Sequence, residues 1–552
     1  MVEHAARANM NMVRVWGGGM ILPDAFYDEC DRQGLMIFHD MMYAQPGHPP
    51  KATATQDAEL RHIIRRLSHH PAIAVWDGCN ECAVKMDQWT SIFATFVMTV
   101  VAQEDTSRAV WPSCPADGWA TGTQKLTQRP NGKPLTTPAK IPRVIEVHGP
   151  YQYGTGFPAV NGDGDLQPVD VSFPGKFAEN PTGVALQNQY TSEFGVSVMS
   201  SFEVMAPTLD PAHWALHAGQ PSDTCKHIPY TTDSVCNGTN VMAQRNYPCD
   251  SFIFSVFGRQ DLNVTGEAQL KKSLYQCMIG QGLVLKQTLE SLRSQNTFGL
   301  LVWQLNEIWP TGGWGSLEYG NPTFPGSVVG GRWKPLHYWY KASLFADVMA
   351  SCGERGVCFV RNDAPAAFSG QLLLQATSLE DGGVTELLKQ EVRLSAGPGE
   401  VTWFTSDAVA AIDGTTHILE AVVLGPTGAP VSWNVLPYAT VEKMMLRPSN
   451  ARVAAAKDGD DFVADVQVDA ASVYLLLTTL AHGVFEDNAL LLRPPGRRIK
   501  FLRSKFSPRS ADEDWALFAS TLRVEDAAGY RAASAVPPAL EQELEQPSLI
   551  AV

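Results

Sequence analysis

Two glutamates in this sequence sit where a pair of carboxylates could do chemistry. Glu81 closes the stretch His69-His70-Pro71-Ala72-Ile73-Ala74-Val75-Trp76-Asp77-Gly78-Cys79-Asn80-Glu81. Ile73, Val75 and Trp76 are β-branched or aromatic, entered through a proline and left through Gly78. That is the pattern of a short buried strand delivering an Asn-Glu pair at its C-terminal end. A carboxylate beside an amide there suits proton transfer to a polar substrate; the plain alternative is that Glu81 caps the helix that follows. Glu193, in Tyr190-Thr191-Ser192-Glu193-Phe194-Gly195, falls at the same place on a later strand, the alternative being an ordinary loop acid. Two carboxylates facing one another across a barrel mouth suit glycoside hydrolysis, one protonating the leaving oxygen while the other attacks the anomeric carbon.

The elements that must position them alternate from the start to about residue 345. Met12-Val13-Arg14-Val15-Trp16 predicts a strand ending at Gly17-Gly18-Gly19, and Pro23 to Gln33 a helix with Asp24 at its positive end and Gly34 as its stop. Leu35 to Asp40 is the next strand. Thr55 to Ser68 then places Leu60, Ile63, Ile64 and Leu67 on one helical face. Met86 to about Gln103 reads as a helix, and Val110-Trp111-Pro112-Ser113 as a short strand. Arg143 to His148 and Gln187 to Glu193 are further strands, separated by long Gly/Pro-rich loops. A helix from about Gly266 to Ser294 leads into the strand Phe298 to Asn306. Seven strands of parallel-sheet character with helical or long connections predict a (β/α)8 TIM-type barrel short of its first strand. Residues 1–345 form that unit. Beyond it, short strands at hairpin spacing predict two Ig-like β-sandwiches, over 346–443 and 444–535, and the Ala/Pro/Glu/Gln-rich 536–552 reads as a disordered tail.

Composition narrows the function classes. The 552 residues are 45% hydrophobic and 18% charged, as in a globular protein with several cores. A net charge of −15 and a pI near 5.3 leave no basic stripe for nucleic acid. No apolar run reaches the ~18 residues of a membrane span. The first residues carry no signal-peptide pattern and read as the middle of a helix. Cys225, Cys236 and Cys249 cluster in a Gly/Pro/Thr/Asn-rich segment where a disulfide would staple a loop. The acceptor triplets Asn237-Gly238-Thr239 and Asn263-Val264-Thr265 lie in or beside it. Together these favour a secretory-route compartment, lysosomal, vacuolar or extracellular.

Several ordered motifs carry a family resemblance. Asn9-Met10-Asn11-Met12-Val13-Arg14-Val15-Trp16-Gly17-Gly18-Gly19, Pro71 to Glu81, Ser192-Glu193-Phe194-Gly195, Trp303-Gln304-Leu305-Asn306 and Gly331 to Tyr338 together resemble glycoside hydrolase family 2, β-mannosidase branch. Ala481 to Asn488 is similar to the C-terminal sandwich of that branch. The resemblance implies a retaining mechanism with Glu81 as general acid/base and Glu193 as nucleophile. It implies that Asn80 binds the sugar 2-hydroxyl, that Trp16 and Trp303 form apolar walls of the subsite, and that Asp40 binds a sugar hydroxyl. His148 and Tyr151 carry over as substrate-binding residues from a loop that aligns less cleanly. No cofactor and no metal is implied, and the partner is a carbohydrate, a β-mannoside or oligosaccharide.

The sequence departs from that family in three ways. It begins inside the helix before the second barrel strand, which predicts that further N-terminal domains of the same protein complete the barrel, the alternative being a strand from another chain. Asp77 and Cys79 stand where serine and asparagine are more usual, and the insertions between Trp111 and Gln187 are long. Cys79 and Cys82 have a Cys-x-x-Cys spacing that suits redox chemistry or half a zinc site, with no second pair or histidine cluster to match. Other family 2 specificities are alternatives: β-galactosidase, β-glucuronidase or exo-β-glucosaminidase, the last disfavoured by the intact Asn80-Glu81 pair. A non-catalytic carbohydrate-binding scaffold is the alternative from another class.

Overall fold

The computed structural model describes residues 1–44, 52–82, 96–111, 113–114, 145–152, 171–177, 189–216, 242, 245, 249–262, 264–295, 297, 299–319, 331–397 and 399–531. Cys225, Cys236, both acceptor asparagines and the C-terminal tail lie outside them.

The first half is built on parallel strands. β1 (Met12–Val15), β2 (Met36–Asp40), β3 (Ile73–Asp77) and β4 (Ala109–Trp111) form one sheet in sequence order, and β5 (Ile145–Gln152), β6 (Gln189–Val196) and β7 (Gly299–Val302) a second. Every pairing in both is parallel. Short helices make the returns. The helix Asp24–Gln33 stops at Gly34, whose φ of +72° only glycine adopts without cost. The helix Ala54–Leu67 starts at a capping box in which Thr53 and Gln56 satisfy one another's backbone, and it buries Leu60, Ile63, Ile64 and Leu67 against the sheet. Of the helix expected from Met86, Met98–Glu104 is described as α-helix, and 83–95 lie outside the described residues.

Register decides where the strands end. Val15 lies opposite His39, Asp40 opposite Asp77, and Asp77 opposite Trp111. In the second sheet His148 lies opposite Glu193. The C-terminal ends of β1 to β3 are therefore level, while His148 and Glu193 face one another inside β5 and β6, whose pairing runs on to Gln152 and Val196. Polar side chains of both sheets converge there. The long helix Glu267–Ser294 packs Leu270, Leu274, Met278, Leu285 and Leu289 into the largest core. Cys249 is bonded to Cys277 of that helix. The predicted loop staple is thus corrected for Cys249: its partner is a fully buried helical cysteine, and the bond clamps two packed segments.

The second half is antiparallel. β8 (Val348–Cys352), β9 (Val357–Asn362), β10 (Phe368–Ser378), β11 (Val384–Leu394), β12 (Glu400–Thr405), β13 (His417–Leu424) and β14 (Pro430–Leu436) form sheets of order β12-β9-β8 and β11-β10-β13-β14 around one core that includes Val360, Leu372, Leu374, Leu419 and Val423. β15 (Arg452–Asp458), β16 (Asp461–Gln467), β17 (Ser472–Thr478), β18 (Gly483–Phe485), β19 (Leu490–Leu492), β20 (Gly496–Arg503) and β21 (Arg523–Glu525) form β15-β16-β20-β18 and β19-β17-β21 around Phe462, Phe485, Phe501 and Phe518. Phe518 sits on an unanticipated helix, Ala511–Thr521, whose Ser510/Glu513 capping box is legible in the sequence. The chain is thus multidomain, with several separate sheets.

A buried ion pair ties the two halves. Glu203, just beyond β6, accepts from Arg523 Nε at 2.7 Å and from the Thr478 hydroxyl at 2.8 Å, and Arg523 also pairs with Glu525. Burial works against the Glu203 charge, yet Arg523 outweighs it and holds the carboxyl below its usual range. Arg523→Met leaves both carboxylates without their cation. It is expected to cost about 3–5 kcal/mol at neutral pH, read as a drop in the urea midpoint. The wild-type contribution is present above the unfolded carboxylate pKa and lost as pH falls through the lowered folded one. In the variant burial is opposed only by the Arg332 charge and the Thr478 hydroxyl, so the Glu203 pKa rises and the deficit shrinks on acidification.

Candidate active site

β1 brings a cation into the cluster at the strand ends. Arg14 stands in an otherwise apolar strand, its side chain only 7% exposed, and three carboxyl or amide groups surround it. Its Nε donates to Asp40 Oδ1 at 2.9 Å and its Nη2 to Asp40 Oδ2 at 2.6 Å, a bidentate pair. Nη2 also donates to Asn80 Oδ1 at 2.8 Å, and Nη1 to Glu193 Oε2 at 2.6 Å. Burial opposes the guanidinium charge, but Asp40 and Glu193 more than restore it.

Glu193 and Glu81 meet at His148. The Glu193 side chain is 8% exposed and that of Glu81 29%, so only the second faces solvent substantially. His148 Nε2 lies 2.9 Å from Glu81 Oε1 and 3.7 Å from Glu193 Oε2, and the facing atoms of the three all lie within 4.8 Å of one another. The Tyr151 hydroxyl donates to Glu193 Oε1 at 2.8 Å. Burial raises the Glu193 pKa; Arg14, His148 and the Tyr151 hydrogen bond pull it back. The pair is therefore asymmetric. One carboxylate is sequestered and held by donors, and the other is more open and linked to an imidazole.

The Trp16 and Trp303 rings lie 5.0 Å apart beside these carboxyls, with Trp16 37% exposed. They line a cavity of ~320 Å³ together with Arg14, Ser192, Glu193 and Asn306. Gly195 lets the β6 backbone approach this wall, since a Cβ there would fall 2.1 Å from the Trp303 carbonyl oxygen.

The eight sequence-predicted site residues come together here. Trp16, Asn80, Glu81 and Trp303 lie just beyond β1, β3 and β7, Asp40 is the last residue of β2, and His148, Tyr151 and Glu193 lie within β5 and β6. Glu193 is thus inside its strand rather than at the C-terminal end expected for it. Asp40 differs from its expectation of a sugar contact. It is 1% exposed, and its two oxygens accept from Arg14 and, at 2.9 Å, from the Gly17 backbone N–H. Arg14 itself was missed as a site residue, although a charge between Val13 and Val15 in a strand pattern demands a buried carboxylate partner. Cys114 was missed too: its Sγ lies 3.5 Å from His148 Nδ1, and burial pushes its thiol well up. Nothing in Trp111-Pro112-Ser113-Cys114 signals that. Among the described residues two trios, Glu81/His148/Glu193 and Cys114/Glu146/His148, have donor atoms close enough to share a cation. In the first, Arg14 already neutralises Glu193.

Comparison with known proteins follows the same lines. No family model matches the chain. It is 24% identical to the β-mannosidase of Capra hircus over 550 residues, covering 92% of this chain and 56% of that protein. It is 24% identical to β-mannosidase A of Aspergillus oryzae over 372 residues, covering 61% of this chain and 36% of that protein. The chain thus spans about half the length of its mammalian relatives. Among solved structures, the β-D-mannosidase of Dictyoglomus thermophilum superposes with a TM-score of 0.64 at 19% identity, over 95% of this chain and 57% of that one. The exo-chitosanase of Amycolatopsis orientalis gives 0.59 at 14%, over 95% and 61%. These likenesses show a shared multidomain fold.

Tyr151→Phe removes one of the groups that hold Glu193 ionised. Its pKa is expected to rise further above the ordinary carboxylate value, read from the carboxyl stretch of isotope-labelled protein across a pH titration.

Proposed function

We propose that this β-mannosidase-like chain carries the active site of a retaining exo-β-mannosidase, removing terminal β-linked mannose from oligosaccharides or glycoconjugates. The observation that carries the reading is the Glu81–His148–Glu193 cluster. Two carboxyls with facing atoms this close suit a retaining pair, which stands about 5–5.5 Å apart, and leave no room for the water of an inverting pair. Relatives named β-mannosidase supply the sugar.

Glu193 attacks the anomeric carbon while Glu81 gives its proton to the departing glycosidic oxygen, leaving a glycosyl ester on Glu193. Water then gives its proton to Glu81 and its oxygen to the anomeric carbon, and Glu193 leaves as carboxylate. Arg14 and Tyr151 hold Glu193 ionised for attack. The more exposed Glu81 reaches the aglycone, with His148 setting its orientation. Asn80 meets the sugar 2-hydroxyl, and Trp16 and Trp303 offer aromatic faces to the pyranose C–H surface. Asp40 holds Arg14. Other family 2 β-glycosidases use the same pair, so sugar preference is decided by assay.

The seven parallel strands are read as part of a (β/α)8-type barrel; among the described residues they form two sheets, β1 to β4 and β5 to β7, and the edges of β7 and β1 approach one another beside the cavity. The cavity there is lined by Met10, Met12, Val13, Leu300, Val302 and Phe345, apolar side chains that suit a further strand of the same protein. Residues 346–443 and 444–535 make two Ig-like sandwiches. The Cys249–Cys277 and Cys352–Cys358 disulfides support an oxidising, secretory-route compartment.

Hydrolysis of a panel of aryl β-glycosides by the full-length protein tests the reading. The mannoside is expected to be preferred, with Glu193→Gln lowering kcat on the order of 10⁴-fold. Turnover unchanged by that substitution removes Glu193 as nucleophile, and no turnover of any β-glycoside favours the scaffold. In wild type the acid limb of kcat/KM is expected above the ordinary carboxylate range, because Glu193 must be ionised and burial raises its pKa.

A further inference from the structure

The Asn80-Glu81 pair is enclosed by a covalent link. Cys79 and Cys82 are disulfide-bonded with Cα atoms 5.7 Å apart, and both are buried. The two central residues of this four-residue ring are therefore the amide that contacts Arg14 and the more exposed carboxyl of the pair. Glu81 takes a left-handed backbone, φ +54°, which a glutamate adopts only when its surroundings impose it.

The surroundings are visible on one side. The Asn80 N–H donates to the Tyr43 carbonyl at 2.9 Å, the Glu81 N–H to the Cys114 carbonyl at 2.6 Å, and the Cys114 N–H to the Cys79 carbonyl at 2.9 Å. The Ser113 hydroxyl lies 3.1 Å from the Cys79 carbonyl oxygen and 2.7 Å from that of Cys82. These contacts fix the loop to the end of β4. The disulfide fixes it to itself, with both sulfurs packed 3.5 and 3.6 Å from the Asn80 carbonyl oxygen.

A ring this short removes little entropy from an unfolded chain, in contrast to Cys249–Cys277, which closes a separation of 28 residues. Its effect is local. We propose that the Cys79–Cys82 disulfide is a positioning device for the proton donor, holding Glu81 in its left-handed conformation so that its carboxyl faces His148 and the leaving group. Cys79 and Cys82 touch no substrate and act through Glu81. The inference rests on the reading of Glu81 as acid/base.

The test uses leaving groups that differ in their need for a proton. A dinitrophenyl β-mannoside departs without one; an alkyl β-mannoside does not. In Cys82→Ser, and in the Cys79→Ser/Cys82→Ser double variant, kcat/KM for the dinitrophenyl substrate is expected to hold. That for the alkyl substrate should fall on the order of tenfold or more, the lower end of a general acid's contribution. The alkaline limb of the alkyl-substrate pH profile should move with it. Because both rates come from the same folded molecules, their ratio is insensitive to how much of a variant folds. Cys352→Ser, which breaks a distant disulfide, should leave the ratio unchanged. Dithiol treatment of the wild type, the dithiol giving two electrons to the bond and closing to its own disulfide, should reproduce the shift.

An unchanged ratio in both variants overturns the proposal, as does free alkylation of Cys79 and Cys82 in the unreduced protein. Failure of the underlying reading looks different: wild type then turns over neither mannoside, and the positioning role falls with it.

Discussion

The structure turns on one buried guanidinium. Arg14 is the common partner of Asp40, Asn80 and Glu193, which come from three different strands or strand ends. A charge this deep is tolerable only when its donors are engaged and an anion stands beside it, here Asp40 and Glu193. The geometry of the strand ends follows from that demand. β2 must end level with β1 to offer Asp40 bidentately, and β6 must come close enough for Glu193 to reach the remaining nitrogen. The parallel registers Val15 to His39 and Asp40 to Asp77 deliver the first of these conditions.

One cation cannot balance the acids packed around it. Asp40, Asp77, Glu81, Glu146 and Glu193 all lie on or beside these strands, and Asp77 is fully buried with no hydrogen-bond donor to either oxygen among the described residues. Burial first, then the Asp40 charge, pushes the Asp77 carboxyl well above its usual range. Asp77 is thus the buried acid whose charged form the site disfavours, lying opposite Asp40 in register. The Arg14 guanidinium goes to Asp40 and Glu193.

How much of this was legible follows from the same physics. The strand that leads to Glu81 could be read because its apolar run is bounded by proline and glycine, and the helix Ala54–Leu67 because its apolar spacing and its caps agree. Asp40 was legible as a strand-end acid, yet its role was not, since nothing local tells a carboxylate facing solvent from one facing an arginine on the preceding strand. Arg14 was visible and passed over for the complementary reason: a strand pattern scores apolar residues and treats its one charge as noise. The Ser510 capping box was legible and its helix was not expected, because β-sandwich spacing had already claimed that stretch.

The open side of the parallel region and its chemistry occupy different walls. Every carboxyl, the arginine and the histidine of the cluster are supplied by β1 to β3, β5 and β6 or their immediate ends, and these are hydrogen-bonded to neighbours in the two sheets. The unpaired edges of β1 and β7 meet the methionine- and leucine-lined cavity, with Trp16 and Trp303 where that cavity reaches the site. The charge network is therefore complete without anything seated between those edges. Trp16 and Trp303 pack against one another there, their ring centroids 5.0 Å apart, and the Trp303 backbone N–H donates to the Phe194 carbonyl at 2.7 Å. The charged cluster is thus held by paired strands, and the aromatic pair beside it by its own ring contact and by β6.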